Sequence, residues 1–200
     1  MPALEVDRQA PSRYRVVDTA PAVEPADGEI AVAIERLALT ANTVTYAVLG
    51  ERMHYWRFYP TGEGWGRVPA WGYGEVIASR HPAIAVGERL YGFLPIASHA
   101  TLRPGPVGRR GLVDASPHRE GLPAVYQAYV RVGQAGERPA DTTAEDVRAL
   151  LHPLFATAWL LADFLVDREL FGARRVLMTS ASSRTAQATA VSLAAARAGG

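Results

Sequence analysis

Arg175-Val176-Leu177-Met178-Thr179-Ser180-Ala181-Ser182-Ser183-Arg184-Thr185-Ala186 is the stretch on which the fold reading turns. Its first half is a short apolar run of the buried-strand type. Ala186 to Ala198 behind it is an alanine-rich helix, and Gly199 and Gly200 follow. A strand over Val176–Ser180 running through a serine-rich turn into a helix is the half-unit of a parallel α/β layer. Such a junction aims backbone N–H groups and the positive end of a helix dipole at one spot, where phosphate binds well. Hydroxyls of Ser180, Ser182, Ser183 and Thr185 add donors there, and Arg184 adds a charged one. The G-x-G-x-x-G fingerprint is absent. A plain helix cap is the competing reading of the same residues.

Upstream, Asp141-Thr142-Thr143-Ala144-Glu145 has the composition of a helix start. Leu150, Leu151, Leu154, Phe155, Ala158, Leu161, Ala162 and Leu165 then recur at helical spacing. Pro153 is expected to kink or divide this helix. The window Leu150–Val166, interrupted by His152, Pro153 and Asp163, reads as too short and too broken to span a bilayer.

The first 140 residues have a different texture. Tyr14-Arg15-Val16-Val17 is a short strand, and Glu29 to Leu39 alternates with a period of two. Pro69 to Ser79 is a strand entered through a bend at Gly72 and Gly74, and Val86 to Gly92 is turn, strand, turn. Pro104 to Pro123 holds four prolines and four glycines and reads as a surface excursion before a strand within Ala124–Val132. Many strands, then helix, strand and helix, make a mixed α/β chain: a β-rich domain over 1–140 leading into an α/β unit over 141–200.

Composition narrows the chemistry. Apolar residues make up 48% and charged residues 20%, and the formal charge is +1, so no broad field draws nucleic acid or an anionic membrane. There is no cysteine, which removes disulfides and thiolate metal sites. All 21 basic residues are arginine, so no lysine of this chain forms a Schiff base. Residues 1–10 carry Glu5, Asp7 and Arg8 and lack a signal-peptide core, and a cytoplasmic location is expected.

Asn42 and Tyr46 are four apart and share a face on a helical turn. An amide can hold a carbonyl or a nicotinamide, and a phenol can donate a proton to a developing enolate or phenolate oxygen. The alternative is that Asn42 caps the turn and Tyr46 packs. The aromatics between Met53 and Trp65 either line a pocket for a flat substrate or form a satellite core. The five histidines show no H-x-x-x-H or H-E-x-x-H pair, and no G-x-S-x-G elbow appears.

Taken together, these segments resemble the medium-chain dehydrogenase/reductase superfamily in its zinc-free quinone-oxidoreductase-like branch. The stretches that carry the likeness are Asn42–Gly50, Pro69-Ala70-Trp71-Gly72-Tyr73-Gly74-Glu75-Val76, Val86-Gly87-Glu88-Arg89-Leu90-Tyr91-Gly92, Leu154-Phe155-Ala156-Thr157-Ala158 and Val176–Ala186. Trp71-Gly72-Tyr73, Thr45–Glu51 and Ser180–Ala186 look like an uncharacterised subgroup known only as a domain of unknown function. The resemblance implies a GroES-like β-barrel domain followed by the first strand-helix unit of a Rossmann domain. It implies NADP(H) as cofactor, without metal. It assigns cofactor contact to Ser180, Ser182, Ser183, Arg184 and Thr185, nicotinamide contact to Thr157, and active-site positions to Asn42 and Tyr46.

The resemblance also implies the activity: zinc-free reduction of an activated alkene, quinone or carbonyl, with a small molecule as substrate. The chain departs from the family at Ser183, Arg184 and Ala186, where the phosphate-loop glycines fall, and it lacks the zinc cysteine of the alcohol dehydrogenases. A Rossmann domain needs more strands than 200 residues leave room for, so the chain reads as its incomplete, inactive N-terminal part. A strand at Val176–Ser180 without neighbours would expose its edge, which points to a homodimer. The rival reading is a non-catalytic binding or interaction protein that retains the barrel.

Overall fold

The structure is a computed structural model and describes residues 1–19, 24–133, 137 and 141–198. Gly199 and Gly200 lie outside them. The chain divides into two compact units, Met1–Asp141 and Thr142–Gly200.

The first unit contains strands β1 (Pro2–Asp7), β2 (Tyr14–Asp18), β3 (Ile30–Ala38), β4 (Trp65–Gly66), β5 (Pro69–Ser79), β6 (Arg89–Pro95), β7 (His99–Leu102), β8 (Pro104–Gly108), β9 (Gly111–Asp114) and β10 (Ala128–Gly133), and helix α1 (Ala41–Val48). Three strands pair in the order β2-β1-β4 and seven in the order β7-β3-β5-β6-β10-β9-β8, all antiparallel. The edge strands β7 and β8 are separated by Arg103 alone. One residue cannot bridge a flat seven-stranded sheet, since strands lie about 4.8 Å apart. The sheet therefore curls until its two edges approach each other.

Two expectations change here. Pro104–Pro123 is not an excursion, because its first half is the β8–β9 hairpin. Its prolines are tolerated because β8 is an edge strand with one row of unpaired groups. Gly72 and Gly74 do not bend the chain into a strand; they lie inside the continuous 11-residue β5. They face β3 where Glu35 bulges out between the pairs Ile34–Gly74 and Arg36–Tyr73. A Cβ on Gly72 would meet the Arg36 carbonyl, so only glycine admits this approach of the two backbones.

Ile30, Val32, Val76, Leu90, Phe93, Leu94 and Leu102 fill the interior of the curled sheet. Tyr55, Trp56, Phe58 and Tyr59 join them, so these four aromatics of the Met53–Trp65 segment belong to this core. The core also holds charge. Asp114 and Arg119 are fully buried, with Arg119 Nε 3.0 Å from Asp114 Oδ2. The guanidinium lies over the Tyr59 ring at 4.7 Å and donates from Nη1 to the Tyr129 hydroxyl at 3.0 Å. Tyr59 and Tyr129 both donate to the Phe93 carbonyl.

The second unit contains α2 (Thr143–Asp167), a 3₁₀ turn at Glu169–Gly172 and α3 (Arg184–Ala198). Glu145 and Asp146 in the first turn of α2 suit the positive end of its dipole. Pro153 neither divides nor ends this helix, which runs unbroken for 25 residues. It is long and apolar enough to cross a membrane by length and composition, contrary to the expectation from Leu150–Val166. Its small residues Ala149, Ala158 and Ala162 are buried, whereas Phe155, Trp159 and Phe164 remain about half exposed.

The strand expected at Val176–Ser180 is not formed. Ala173–Met178 is irregular, Thr179–Ser182 is turn, and Leu177 is 90% exposed. A strand needs a neighbour to take its N–H and C=O groups, and the described residues of this unit include none.

Candidate functional site

Tyr46 is positioned by a well-specified helix start. Thr40 is the N-cap of α1: its hydroxyl accepts from the Asn42 N–H at 3.2 Å, while the Thr43 hydroxyl accepts from the Thr40 N–H at 3.0 Å. This reciprocal capping box makes Thr40, not Asn42, the cap of the turn. The Asn42 side chain is left beside the Tyr46 hydroxyl, one helical turn on.

The Tyr46 ring is buried, 4.8 Å from the Tyr55 ring and 5.1 Å edge-on from Phe93. Its hydroxyl is approached by Trp71, Asn42 and Tyr126. Burial, reinforced by Tyr126, pushes the Tyr46 phenol up to about 12. Burial raises Tyr126 as well, together with its contact with Tyr55, whose hydroxyl lies 3.3 Å away. Tyr46, Tyr55, Tyr126, the Asn42 amide and the Trp71 indole thus form a polar cluster set in aromatic walls. With their proton affinities raised, the Tyr46 and Tyr126 phenols stay protonated at neutral pH and act as hydrogen-bond donors.

Sequence reasoning finds two members of this cluster, Asn42 and Tyr46. It misses Tyr126 and Tyr55 as partners and values Trp71 only as part of a glycine-containing strand. These residues come from α1, a 3₁₀ turn, β5 and the segment before β10, so no spacing connects them.

The phosphate-site candidates lie in the second unit. Ser180 and Ser182 are exposed in the turn before α3, and Ser183, Arg184 and Thr185 open the helix. Ser183 acts as a cap, since its hydroxyl accepts from the Ala186 N–H at 3.1 Å and its carbonyl accepts from the Gln187 N–H at 3.0 Å. The N–H groups of Arg184 and Thr185 belong to the first turn and have no intrahelical acceptor. Arg184 makes no ion pair among the described residues. Donor chemistry here suits the phosphates of a dinucleotide, while the strand that would hold the turn against a sheet is absent. Thr157 is exposed on α2, and its hydroxyl donates to the Pro153 carbonyl at 3.0 Å.

Among the described residues no group of three His, Asp or Glu side chains is arranged to hold a metal ion. The chain is similar in fold to several solved structures. CurA from Vibrio vulnificus in complex with NADPH is 14% identical, with 84% of this chain and 40% of that chain covered and a TM-score of 0.48. A mycobacterial quinone oxidoreductase is 18% identical, with 93% and 47% covered and a TM-score of 0.43. The quinone oxidoreductase from Coxiella burnetii is 14% identical, with 84% and 45% covered and a TM-score of 0.39. The chain thus spans less than half the length of each. No curated protein matches it in sequence. Residues 37–199 match the model of a family described as a protein of unknown function, DUF2855, and the chain belongs to that family.

Proposed function

We propose that the chain is the substrate-side, N-terminal part of an NADP(H)-dependent, zinc-free reductase acting on an activated alkene, quinone or carbonyl. The observation that carries this reading is the Tyr46 cluster: a buried, protonated phenol flanked by an amide and a second phenol, walled by Trp71, Phe93 and Tyr55. The near approach of β7 and β8 supports a GroES-like barrel around it. NADPH, when bound, supplies the hydride, and Ser180, Ser182, Ser183, Arg184 and Thr185 are the residues that would hold its phosphates. Asn42 orients the substrate oxygen through its amide N–H. Tyr46 donates a hydrogen bond to that oxygen and passes its proton as negative charge develops, then recovers one from water. Aromatic walls keep bulk water away and suit a flat, apolar substrate.

The test uses the full-length protein with NADPH and a panel of quinones, enones and aldehydes. Turnover that falls at least about a hundredfold in Tyr46→Phe supports the assignment. No turnover with any class, and no thermal shift on adding NADPH, sinks it. A specific observation favours a second reading, a non-catalytic member that retains the barrel. Ser183 caps the helix and no strand supports the turn, so these residues serve as local structure without any dinucleotide.

A further inference from the structure

On the first unit, a cavity of about 280 Å³ is lined by Arg8, Glu51, His54, Trp56, Arg57 and His118, none of them in the Tyr46 cluster, with Gly50 and Pro60 completing its wall. Two guanidiniums, two imidazoles and one carboxylate make its charge predominantly positive. Each arginine is tethered to a backbone carbonyl. Arg8 Nε donates to the Trp65 carbonyl at 2.7 Å, and Arg57 Nη2 donates to the Glu120 carbonyl at 2.8 Å. A carbonyl tether fixes the fork without neutralising it, and the other N–H groups of each guanidinium stay available. Arg8 forms a loose ion pair with the exposed Glu51 at 3.8 Å, too long for a hydrogen bond.

Three further features single this cavity out. His54 is held in the left-handed region, at φ 59°, a costly conformation for a residue with a side chain. Its ring has no partner among the described residues. Trp56 is 3% exposed, and its indole N–H, at the wall against Gly50, has no acceptor among the described residues. A buried donor without an acceptor is uncommon and calls for one. Burial and then Arg119 lower the proton affinity of His118, against the opposing pull of Asp114 and the Phe58 backbone, with Arg57 adding a smaller push downward.

We infer that this cavity is a second binding site, built for a small oxyanion, a phosphate or carboxylate group, gripped by Arg8 and Arg57 with His54 beside them. The forked geometry of two guanidiniums matches two or three oxygens on one centre. At 280 Å³ the cavity lies at the small end of ligand pockets, so it takes the charged group and little else. Neither arginine belongs to the Tyr46 cluster, so the inference stands apart from the reductase reading.

The test is calorimetric titration of the full chain, at low ionic strength, with inorganic phosphate in one arm and malonate in the other. Chloride at matched ionic strength is the reference. Saturable binding of either oxyanion is expected, and the stronger arm identifies the source chemistry. Arg57→Gln and Arg8→Gln should each weaken it by roughly tenfold, the worth of one charge-assisted contact. Arg109→Gln, on the exposed β8–β9 turn, should leave it unchanged. Circular dichroism checks that each variant is folded; if one is not, the other carries the comparison. No heat beyond chloride in both arms overturns the inference, and so does equal binding by a folded Arg57→Gln or Arg8→Gln chain.

Discussion

Replacing Asp114 by asparagine removes one charge from the middle of the core, and the structure sets out what that costs. Asp114 Oδ1 accepts three bonds: from the Arg103 N–H at 3.1 Å, the Ser116 N–H at 2.9 Å and the Ser116 hydroxyl at 2.6 Å. Oδ2 faces Arg119 Nε at 3.0 Å. Asparagine can keep its oxygen toward the three donors, but its neutral NH₂ then sits beside the buried guanidinium and the charge pairing is lost. Flipping the amide turns its oxygen toward Arg119 and loses the three bonds. Neither rotamer satisfies the site. Arg119 is 1% exposed and keeps its charge, so it cannot escape by rehydration.

Breaking a buried pair from one side costs about 3–5 kcal/mol. With a urea slope near 2 kcal/mol per molar, the midpoint should drop by roughly 2 M. Arg119→Met leaves the carboxylate with its three other donors and should cost less. The double variant Asp114→Asn with Arg119→Met should be more stable than the sum of the single losses, by more than about 0.5 kcal/mol. Urea unfolding followed by far-ultraviolet circular dichroism reads all four proteins. A loss below about 1 kcal/mol for Asp114→Asn, or simple additivity, would refute the view that this ion pair sustains the core.

Other outcomes follow from single positions. Leu177→Asp should change stability by less than about 0.5 kcal/mol, because Leu177 is exposed outside any strand; a loss of several kcal/mol would restore the expected buried strand. Gly72→Ala should cost roughly 1–3 kcal/mol in thermal unfolding, since the new Cβ meets the Arg36 carbonyl and backbone yields little. Ser183→Ala should destabilise the second unit by about 1 kcal/mol, the worth of a helix cap, read from the loss of helical circular dichroism on heating. The Tyr46 phenol lies at about 12 in the fold against an ordinary 10, so its stabilising share is whole below pH 10 and lost as pH rises toward 12. Alkaline unfolding curves for wild type should therefore fall more steeply across that window than those for Tyr46→Phe, and parallel curves would argue against the buried phenol.

Local chemistry made much of this fold legible. The four-residue spacing of Asn42 and Tyr46 suits the helical turn that became α1, and the alternation of Glu29–Leu39 announces β3. These elements could be read because the forces that set them act within one turn or one strand. The hairpin at Pro104–Asp114 was hidden because proline and glycine mark turns and edge strands alike, and only its place at the sheet edge separates the two. The strand at Val176–Ser180 failed for a related reason. Apolar composition offers a strand, but hydrogen bonds from a neighbouring strand make one. Asn42 and Tyr46 were visible as a pair because helical spacing joins them. Tyr126, Tyr55 and Trp71 were not, since only packing brings them to the same hydroxyl.

From the amino-acid order alone came the β-rich texture of the first 140 residues, the helical spacing of Leu150–Leu165, and the exclusion of thiolate and lysine chemistry, all consequences of residue type and short-range periodicity. Tertiary structure alone decided that the sheet curls, that Arg119 is sealed beside Asp114 beneath aromatic rings, and that Arg8 and Arg57 meet at one cavity. Such contacts join residues tens of positions apart, and their energies depend on burial and on the company each charge keeps, neither of which exists until the chain has folded.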